Sequence, residues 1–387
     1  MKKMNFIFFF SIVFIIYAGV NYYIIRRGLQ ALPDDSNFRI WLVVLVIFFA
    51  LSFLAGRIWE NQSVNFASTT LIWIGSFWLA FMVHFFLLLL FIDLARLINH
   101  FAGIFPASIT QNYEQVKLIA FYSVIAISTI IVAGGYINTL HPQVKNITIK
   151  IDKKVEGLDS LNIAMVSDIH FGTIIGRGRG MTIVDKINSL NPDIVLIPGD
   201  ILDEDVKSVI KNNTGDAILK LRAKYGVYGT TGNHEYIGGV EAATNYIETH
   251  GIKLLRDTTI LVADKFYLVG REDRAISSFT NGSREPLENL VSGIDESKLV
   301  ILMDHQPHQL EQAANNGIDL QLSGHTHHGQ IFPFNYITDM VYELSWGYKQ
   351  KKDTHYYVSC GVGGWGPPIR TGSRPEVMNI KIVFGND

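Results

Sequence analysis

Four long apolar runs crowd the first 140 residues of this chain, and they limit what it can fold into more than any other feature does. They are Met4–Ile25, Ile40–Gly56, Leu71–Leu94 and Leu118–Ile137, and none holds a Lys or Arg. Crossing a bilayer core takes roughly 20 apolar residues in helical form. Three runs meet that length and the second is at its short end. Tyr22, Tyr23, Trp41, Trp59 and Trp73 lie near the run ends, where amphipathic rings favour the headgroup layer. The first run could instead be a cleaved signal peptide with Lys2 and Lys3 as its basic end, but it is longer than a usual signal core and three more runs follow. A buried soluble bundle would need a polar face on each helix, which these runs lack. Residues 1–140 therefore read as a transmembrane region of about four helices, in contact with the lipid bilayer. His84 lies inside the third run. An ionisable group at that depth is either functional or a neutral histidine hydrogen-bonded between helices.

Four spans put both termini on one side of the membrane. That side holds Lys2, Lys3, Arg57, Lys145, Lys150, Lys153 and Lys154; the other holds Arg26, Arg27, Arg39, Arg96 and Lys117. The bias is small and leans toward a multi-pass cell-membrane protein whose C-terminal domain faces the cytoplasm.

From about His141 the text changes. Hydrophobic residues are 48% of the whole chain, but beyond this point they fall into short runs separated by turn signals. Asn162–Val166, Ile194–Ile197, Val227–Thr230, Leu299–Met303 and Ile318–Leu322 read as strands, with amphipathic helices at Met181–Leu190 and Val240–His250. Such alternation predicts an α/β layered domain over residues 141–387. Residues 271–298 are polar and strand-poor, and read as a loop with a short helix. The formal net charge of -2 gives no reason to expect nucleic acid as a partner. With one cysteine, Cys360, the chain has neither an internal disulfide nor a thiolate metal site.

Each of the five strands runs into ligand-type residues: Ser167-Asp168-Ile169-His170, Pro198-Gly199-Asp200, Gly232-Asn233-His234-Glu235, Asp304-His305-Gln306-Pro307 and Ser323-Gly324-His325-Thr326-His327. Open α/β sheets place their sites at the C-terminal ends of strands, and packing gives no reason for Asp, His and Asn to gather at five of them. In Asp168-x-His170 and His325-x-His327 the pair is two apart, and on an extended backbone such residues share a face. Gly199, Gly232 and Gly324 remove a side chain where backbone turns sharply or approaches closely. Mixed carboxylate, amide and imidazole donors suit Mn, Fe or Zn better than Mg or Ca. His250, His308, His328 and His355 read as surface or structural residues. Arg177, Arg179, Arg370 and Arg374 are the basic residues placed near a phosphate-bearing substrate, because Arg matches phosphate in bidentate fashion.

These motifs resemble the calcineurin-like metallophosphoesterase superfamily: Asp168-Ile169-His170, Gly199-Asp200-Ile201-Leu202-Asp203, Gly232-Asn233-His234-Glu235, His305-Gln306-Pro307 and Gly324-His325-Thr326-His327, over about Leu161–Phe384. The tail Gly363-Gly364-Trp365-Gly366-Pro367-Pro368-Ile369-Arg370 is similar to a membrane-associated bacterial branch that acts on nucleotide-linked lipids and other phosphodiesters. The resemblance implies a sandwich of two mixed sheets flanked by helices. It implies two divalent metal ions, one held by Asp168, His170 and His327, the other by Asn233, His305 and His325, with Asp200 bridging. It further implies His234 as general acid, Asp203 orienting it, and hydrolysis of a phosphodiester or pyrophosphate by attack of a metal-bridging hydroxide. The substrate would be a phosphorylated small molecule or a lipid-linked one. A metal-bound regulatory module attached to a membrane sensor is the competing expectation. A decayed module usually lacks one or more ligands, and here none is missing.

Overall fold

A computed structural model describes residues 2–385 apart from residue 204, and of residues 2–7, 9 and 10 the backbone only. The chain divides into two compact units. One runs to Tyr136 and takes in Gly366–Pro368; the other spans Ile137–Trp365 and resumes at Ile369.

The first unit is helical: α1 (Lys2–Ala31), α2 (Phe38–Gln62), α3 (Phe66–Ala102), a short α4 (Ala107–Gln111) and α5 (Tyr113–Thr139). Ser11–Ala31 within α1, and α2, α3 and α5 whole, are long and apolar enough to cross a membrane. The third helix is longer than its apolar run because its ends are chemically set. Asn65 Oδ1 accepts from Ala67 N at 3.0 Å and Ser68 N at 3.1 Å, and Ser68 Oγ accepts from Asn65 N at 3.0 Å. Gly103, at φ 60, closes the other end; the first device is a capping box and the second a left-handed cap. Polar groups among the helices find partners: Trp78 Nε1 donates to Asn21 Oδ1 at 3.0 Å and Tyr17 Oη to Ala50 O at 2.8 Å. His84 is buried, with Nδ1 2.8 Å from Ala80 O one turn back on its own helix. Its bond is thus within the helix rather than between helices.

Among the described residues, the second unit holds twelve strands in two mixed six-stranded sheets. The first sheet has the order β1 (Gln143–Ile151), β12 (Glu376–Phe384), β2 (Ser160–Met165), β3 (Ile194–Pro198), β4 (Val227–Thr230), β5 (Lys253–Leu254). Only β12 and β2 pair antiparallel. The second has the order β10 (Gly347–Lys351), β11 (Thr354–Val358), β9 (Leu320–Ser323), β8 (Leu299–Met303), β7 (Phe266–Gly270), β6 (Thr258–Val262), antiparallel at its two edges and parallel within.

Strand periodicity builds the core. Leu161, Ile163 and Met165 of β2, Ile194 and Leu196 of β3, and Leu299, Ile301 and Met303 of β8 fill the space between the sheets. The alternate residues Val300 and Leu302 of β8 pack outward with Leu287, Leu310 and Ala313 under short helices. A two-residue repeat puts neighbours on opposite faces, and burial on both faces explains why β3 and β8 read as unbroken apolar runs. Helix α6 (Arg177–Asn188) starts four residues earlier than expected, at a Gly-rich turn, and Val240–Thr249 forms the other expected helix. Residues 271–298 carry two short helices, Ile276–Phe279 and Leu287–Leu290, where one was expected.

Candidate metal centre

The inner strands of both sheets deliver their C-terminal ends to one place. The loops after β2, β3 and β4 bring Asp168, His170, Asp200, Asn233 and His234 from the first sheet. Those after β8 and β9 bring His305, His325 and His327 from the second. Two hydrogen bonds stitch the sheets across the site: His305 Nδ1 donates to Pro198 O at 2.9 Å, and His325 N donates to Asp168 Oδ1, also at 2.9 Å.

The donor atoms fall into three groups, each within 4.8 Å: Asp168 with His170 and His327, Asp200 with His305 and His325, and His170 with Asp203 and His234. Asp200 lies between the first two. Its Oδ2 is 3.2 Å from His305 Nε2 and 3.8 Å from His170 Nε2. Asn233 Oδ1 is 2.8 Å from His325 Nδ1. His234 Nδ1 donates to the main-chain oxygen of Asp203, whose carboxylate Oδ1 is 3.7 Å from both His234 Nδ1 and His170 Nδ1. The orienting contact from Asp203 therefore runs through its carbonyl. His250, His308, His328 and His355 take no part in these groups.

The pairs two residues apart do not converge through extended backbone. Asp168 (φ 52), His170 (φ 53), Asp200 (φ 50), His325 (φ 71) and His327 (φ 47) all sit in the left-handed region. Non-glycine residues avoid it, and such strain gathers at functional sites. The turns that aim these side chains are tight ones held by neighbours. Gly232 and Gly324 make them possible: a Cβ on Gly232 would overlap Asp200 Oδ1, and one on Gly324 would overlap Asp168 Oδ2. Gly199, at φ 81, faces the His305 ring in the same way.

Burial governs the charges. Asp168, His170, Asp200, His305 and His327 are buried, while Asn233 and His325 are partly open to solvent. Burial, reinforced by the neighbouring His234, lowers His170 to about 3. Burial likewise lowers His325 to about 3 and His327 well below its ordinary value. The Asp200 and Asp168 carboxylates raise His305 well above its ordinary value, although burial opposes this. Asp200 is held well below the carboxylate range by His305 and His234, although burial opposes this. Asp168 is pushed up to about 6 by burial.

This donor set fits divalent cations. Three neutral imidazoles offer lone pairs, as metal ligation requires. His170 Nε2 and His327 Nε2 face each other at 3.1 Å, and His170 Nδ1 and His305 Nε2 are buried without a hydrogen bond. Buried nitrogens are normally satisfied, so these orphans mark a place for a ligand.

Several supporting residues carried no assigned role in the sequence. Glu235, fully buried, accepts from Gly232 N at 2.7 Å, Leu202 N at 2.9 Å and Asp200 N at 3.2 Å, tying the ends of β3 and β4 together. Burial and then Asp200 push its carboxyl up to about 7, against the pull of Leu202 and Gly232 N–H. The Gly232–Glu235 spacing of a capping box was the available signal. Ser167 Oγ donates to Asp168 Oδ2 at 2.5 Å. Arg271 and Arg284, from the polar loop, bind Asp304 Oδ2 at 3.3 and 2.6 Å.

The four arginines expected near substrate have different surroundings. Arg370 is fully buried behind the site: Nε and Nη2 donate to Gly363 O at 3.0 and 2.7 Å, Nη1 to Ser373 Oγ at 2.8 Å, and Nη2 to His327 Nδ1 at 3.2 Å. It fixes a histidine rather than meeting solvent. Arg177 pairs with Asp216 at 3.3 Å on the surface, Arg179 Nη2 donates to Thr139 O at 3.1 Å, and Arg374 is exposed. Trp365, 53% exposed, has its ring 5.9 Å from that of His234.

A family model described as calcineurin-like phosphoesterase matches residues 161–329. A transmembrane protein with metallophosphoesterase domain from Danio rerio is 32% identical over 268 residues, 66% of this chain and 61% of that protein. An uncharacterized metallophosphoesterase from Helicobacter pylori is 32% identical over 260 residues, 65% of this chain and 67% of that one. Another from Campylobacter jejuni is 27% identical over 385 residues, 98% of this chain and 99% of its own length. The match to the Danio rerio relative thus spans less than two thirds of that protein, and the match to the Campylobacter jejuni relative takes in nearly all of both chains, the apolar half included.

Proposed function

We propose that this chain, which belongs to the calcineurin-like phosphoesterase family, is a membrane-anchored hydrolase that cleaves a phosphodiester or pyrophosphate bond with two divalent cations, Mn, Fe or Zn. In this reading residues 1–140 are the multi-pass anchor and residues 141–387 the catalytic domain, which the lysine and arginine balance favours on the cytoplasmic face. The observation that carries it is the convergence of Asp168, His170, Asp200, Asn233, His305, His325 and His327 from five strand ends, most of them buried and two, His170 and His305, with a nitrogen that lacks a hydrogen bond.

Asp168, His170 and His327 would hold one cation and Asn233, His305 and His325 the other, with Asp200 between. Cations held by these residues would supply Lewis-acid polarisation of a phosphoryl oxygen and a water acidified enough to lose a proton and serve as nucleophile near neutral pH. The rest falls to the chain. Asn233 and His325, partly open to solvent, are where an incoming phosphate would first meet the site. The His234 Nδ1–H bond to the Asp203 carbonyl fixes the tautomer and leaves Nε2 as the atom that gains and gives a proton. A protonated Nε2 donates to the leaving oxygen as its bond to phosphorus breaks. Burial of the carboxylates and imidazoles keeps bulk water from screening these charges. The anchor brings the site to amphiphiles already concentrated in two dimensions, which favours a lipid-linked substrate.

The test is hydrolysis of bis-p-nitrophenyl phosphate by purified full-length protein supplied with Mn, Fe or Zn. His234→Ala should lower turnover at least about a hundredfold, the scale of general-acid catalysis, with metal content unchanged. Asn233→Ala should lower activity and metal content together. A folded, metal-loaded wild-type protein with no turnover sinks the proposal.

A further inference from the structure

The helix Phe334–Val341 is built inside out. Its sequence FNYITDMV places Tyr336, Ile337, Met340 and Val341 on one face, and they are 60, 54, 87 and 61% exposed. No residue of the helix is buried. The opposite face carries Asn335, Thr338 and Asp339. Thr338 Oγ1 donates to Asn335 O at 2.8 Å, and the Asp339 carboxylate accepts from Ser345 Oγ. A helix on a water-soluble domain turns its apolar stripe inward and its polar face out. Here the only charged group is held by its own domain and the apolar stripe points away, flanked by Phe332, 52% exposed. Scattered exposed apolar residues need no explanation, but a contiguous patch marks a surface that something covers.

Two observations say what covers it. The apolar phase this chain is obliged to lie beside is a bilayer. The last candidate span, α5, ends at Thr139 and β1 begins at Gln143, so only residues 140–142 separate that span from the first strand of the domain. The composition of the helix also fits a membrane surface: a short amphipathic segment with aromatic and aliphatic residues on one side beds into the headgroup and acyl boundary. We propose that Phe334–Val341 is an interfacial helix that inserts its Tyr336–Val341 face into the lipid surface.

Its location ties this to the site. Only residues 330–333 separate the helix from the turn His327–Gly329, Asp339 Oδ1 is 3.7 Å from His328 Nδ1, and the Tyr342 ring just beyond the helix lies 6.2 Å from the His325 ring. Bedded in lipid, the helix sets the open rim of the metal centre at the headgroup level. This extends the proposed function: the substrate is a phosphodiester or pyrophosphate whose apolar part stays in the bilayer.

The test uses full-length protein in lipid nanodiscs, labelled at Met340→Cys with an environment-sensitive fluorophore, with Ser292→Cys as the reference on exposed polar surface. The native Cys360 is fully buried and does not compete for label. Lipids brominated near the acyl–headgroup boundary should quench the label at 340 several-fold more than that at 292. Equal quenching overturns the proposal, as does disulfide crosslinking of the Met340→Cys protein between copies without lipid quenching, which assigns the face to a second copy. In a second arm, the double change Ile337→Glu, Met340→Glu should lower hydrolysis of a vesicle-embedded phosphodiester about tenfold, a shift of about 1.4 kcal/mol, and leave bis-p-nitrophenyl phosphate hydrolysis unchanged. Equal turnover on the embedded substrate overturns the link to substrate class. If the unsubstituted protein fails to cleave the soluble substrate, the phosphoesterase reading falls while the quenching result still decides the helix.

Discussion

Removing the Glu235 carboxylate should unfasten the candidate metal centre from behind. Glu235→Ala leaves the main-chain N–H groups of Gly232, Leu202 and Asp200, bonded to it at 2.7, 2.9 and 3.2 Å, without an acceptor in a place sealed from water. One buried donor stripped of its partner costs about 1–3 kcal/mol. The three donors share adjoining turns and relax together, so the sum is sub-additive, at about 3–5 kcal/mol. The damage is also local. Asp200 holds a left-handed φ of 50, a strained state that persists only while its surroundings over-determine it. Losing the Glu235 anchor frees that turn and moves the carboxylate placed between the two donor groups. Glu235→Gln keeps one oxygen and should lose about half as much. The assay is calorimetric unfolding of the full-length protein in detergent, with metal per chain measured by mass spectrometry. The transition that shifts on chelation reports the metal-site unit. An alanine variant within about 0.5 kcal/mol of wild type, with full metal content, would refute the role given to Glu235.

Three further outcomes are expected. Arg370→Met strips Gly363 O of two donors and releases His327, costing about 2–4 kcal/mol, and Arg370→Lys does not restore it because an ammonium cannot fork to the same partners; matching denaturation midpoints for wild type and the lysine variant would contradict this. Gly324→Ala drives a Cβ into Asp168 Oδ2 and to 2.5 Å from Ser167 Oγ, so the purified variant should retain less than half the wild-type metal content, and undiminished content would count against the close approach. Burial raises the Cys360 thiol far above its ordinary value, which means less thiolate at any given pH and none of consequence at pH 8; maleimide should modify it only after denaturation, and rapid labelling of the native protein would show the site to be open.

What the sequence disclosed and what it hid divide along physical lines. The apolar runs were plain because bilayer thickness imposes a length that composition must meet. The five clusters of Asp, His and Asn side chains were plain because each follows a short apolar strand, and strand ends are where sites collect. The route by which the ligands converge was not. Extended pairing of Asp168 with His170, and of His325 with His327, was the natural inference from a two-residue spacing, yet the backbone at all four is left-handed, a choice made by tertiary contacts such as Asp168 with His325 N. The β1–β12 pairing, which joins Gln143–Ile151 to Glu376–Phe384 in parallel register, links segments too distant for any local signal. Arg370 illustrates the limit most sharply. Its chemistry invited a phosphate, but its guanidinium is spent on Gly363, Ser373 and His327. The polar loop likewise hid its use: Arg271 and Arg284 reach Asp304 beside His305, a contact no spacing rule announces.

The most direct test of a two-cation phosphoesterase is a stoichiometric titration. Full-length protein stripped of metal by a chelator is given increasing equivalents of Mn, Fe or Zn while hydrolysis of bis-p-nitrophenyl phosphate is followed. The expected result is no turnover in the stripped protein, recovery that saturates near two equivalents per chain, and no recovery in Asp200→Asn. Turnover that persists in the stripped protein, or a folded protein that takes up two equivalents and stays inactive, would contradict it.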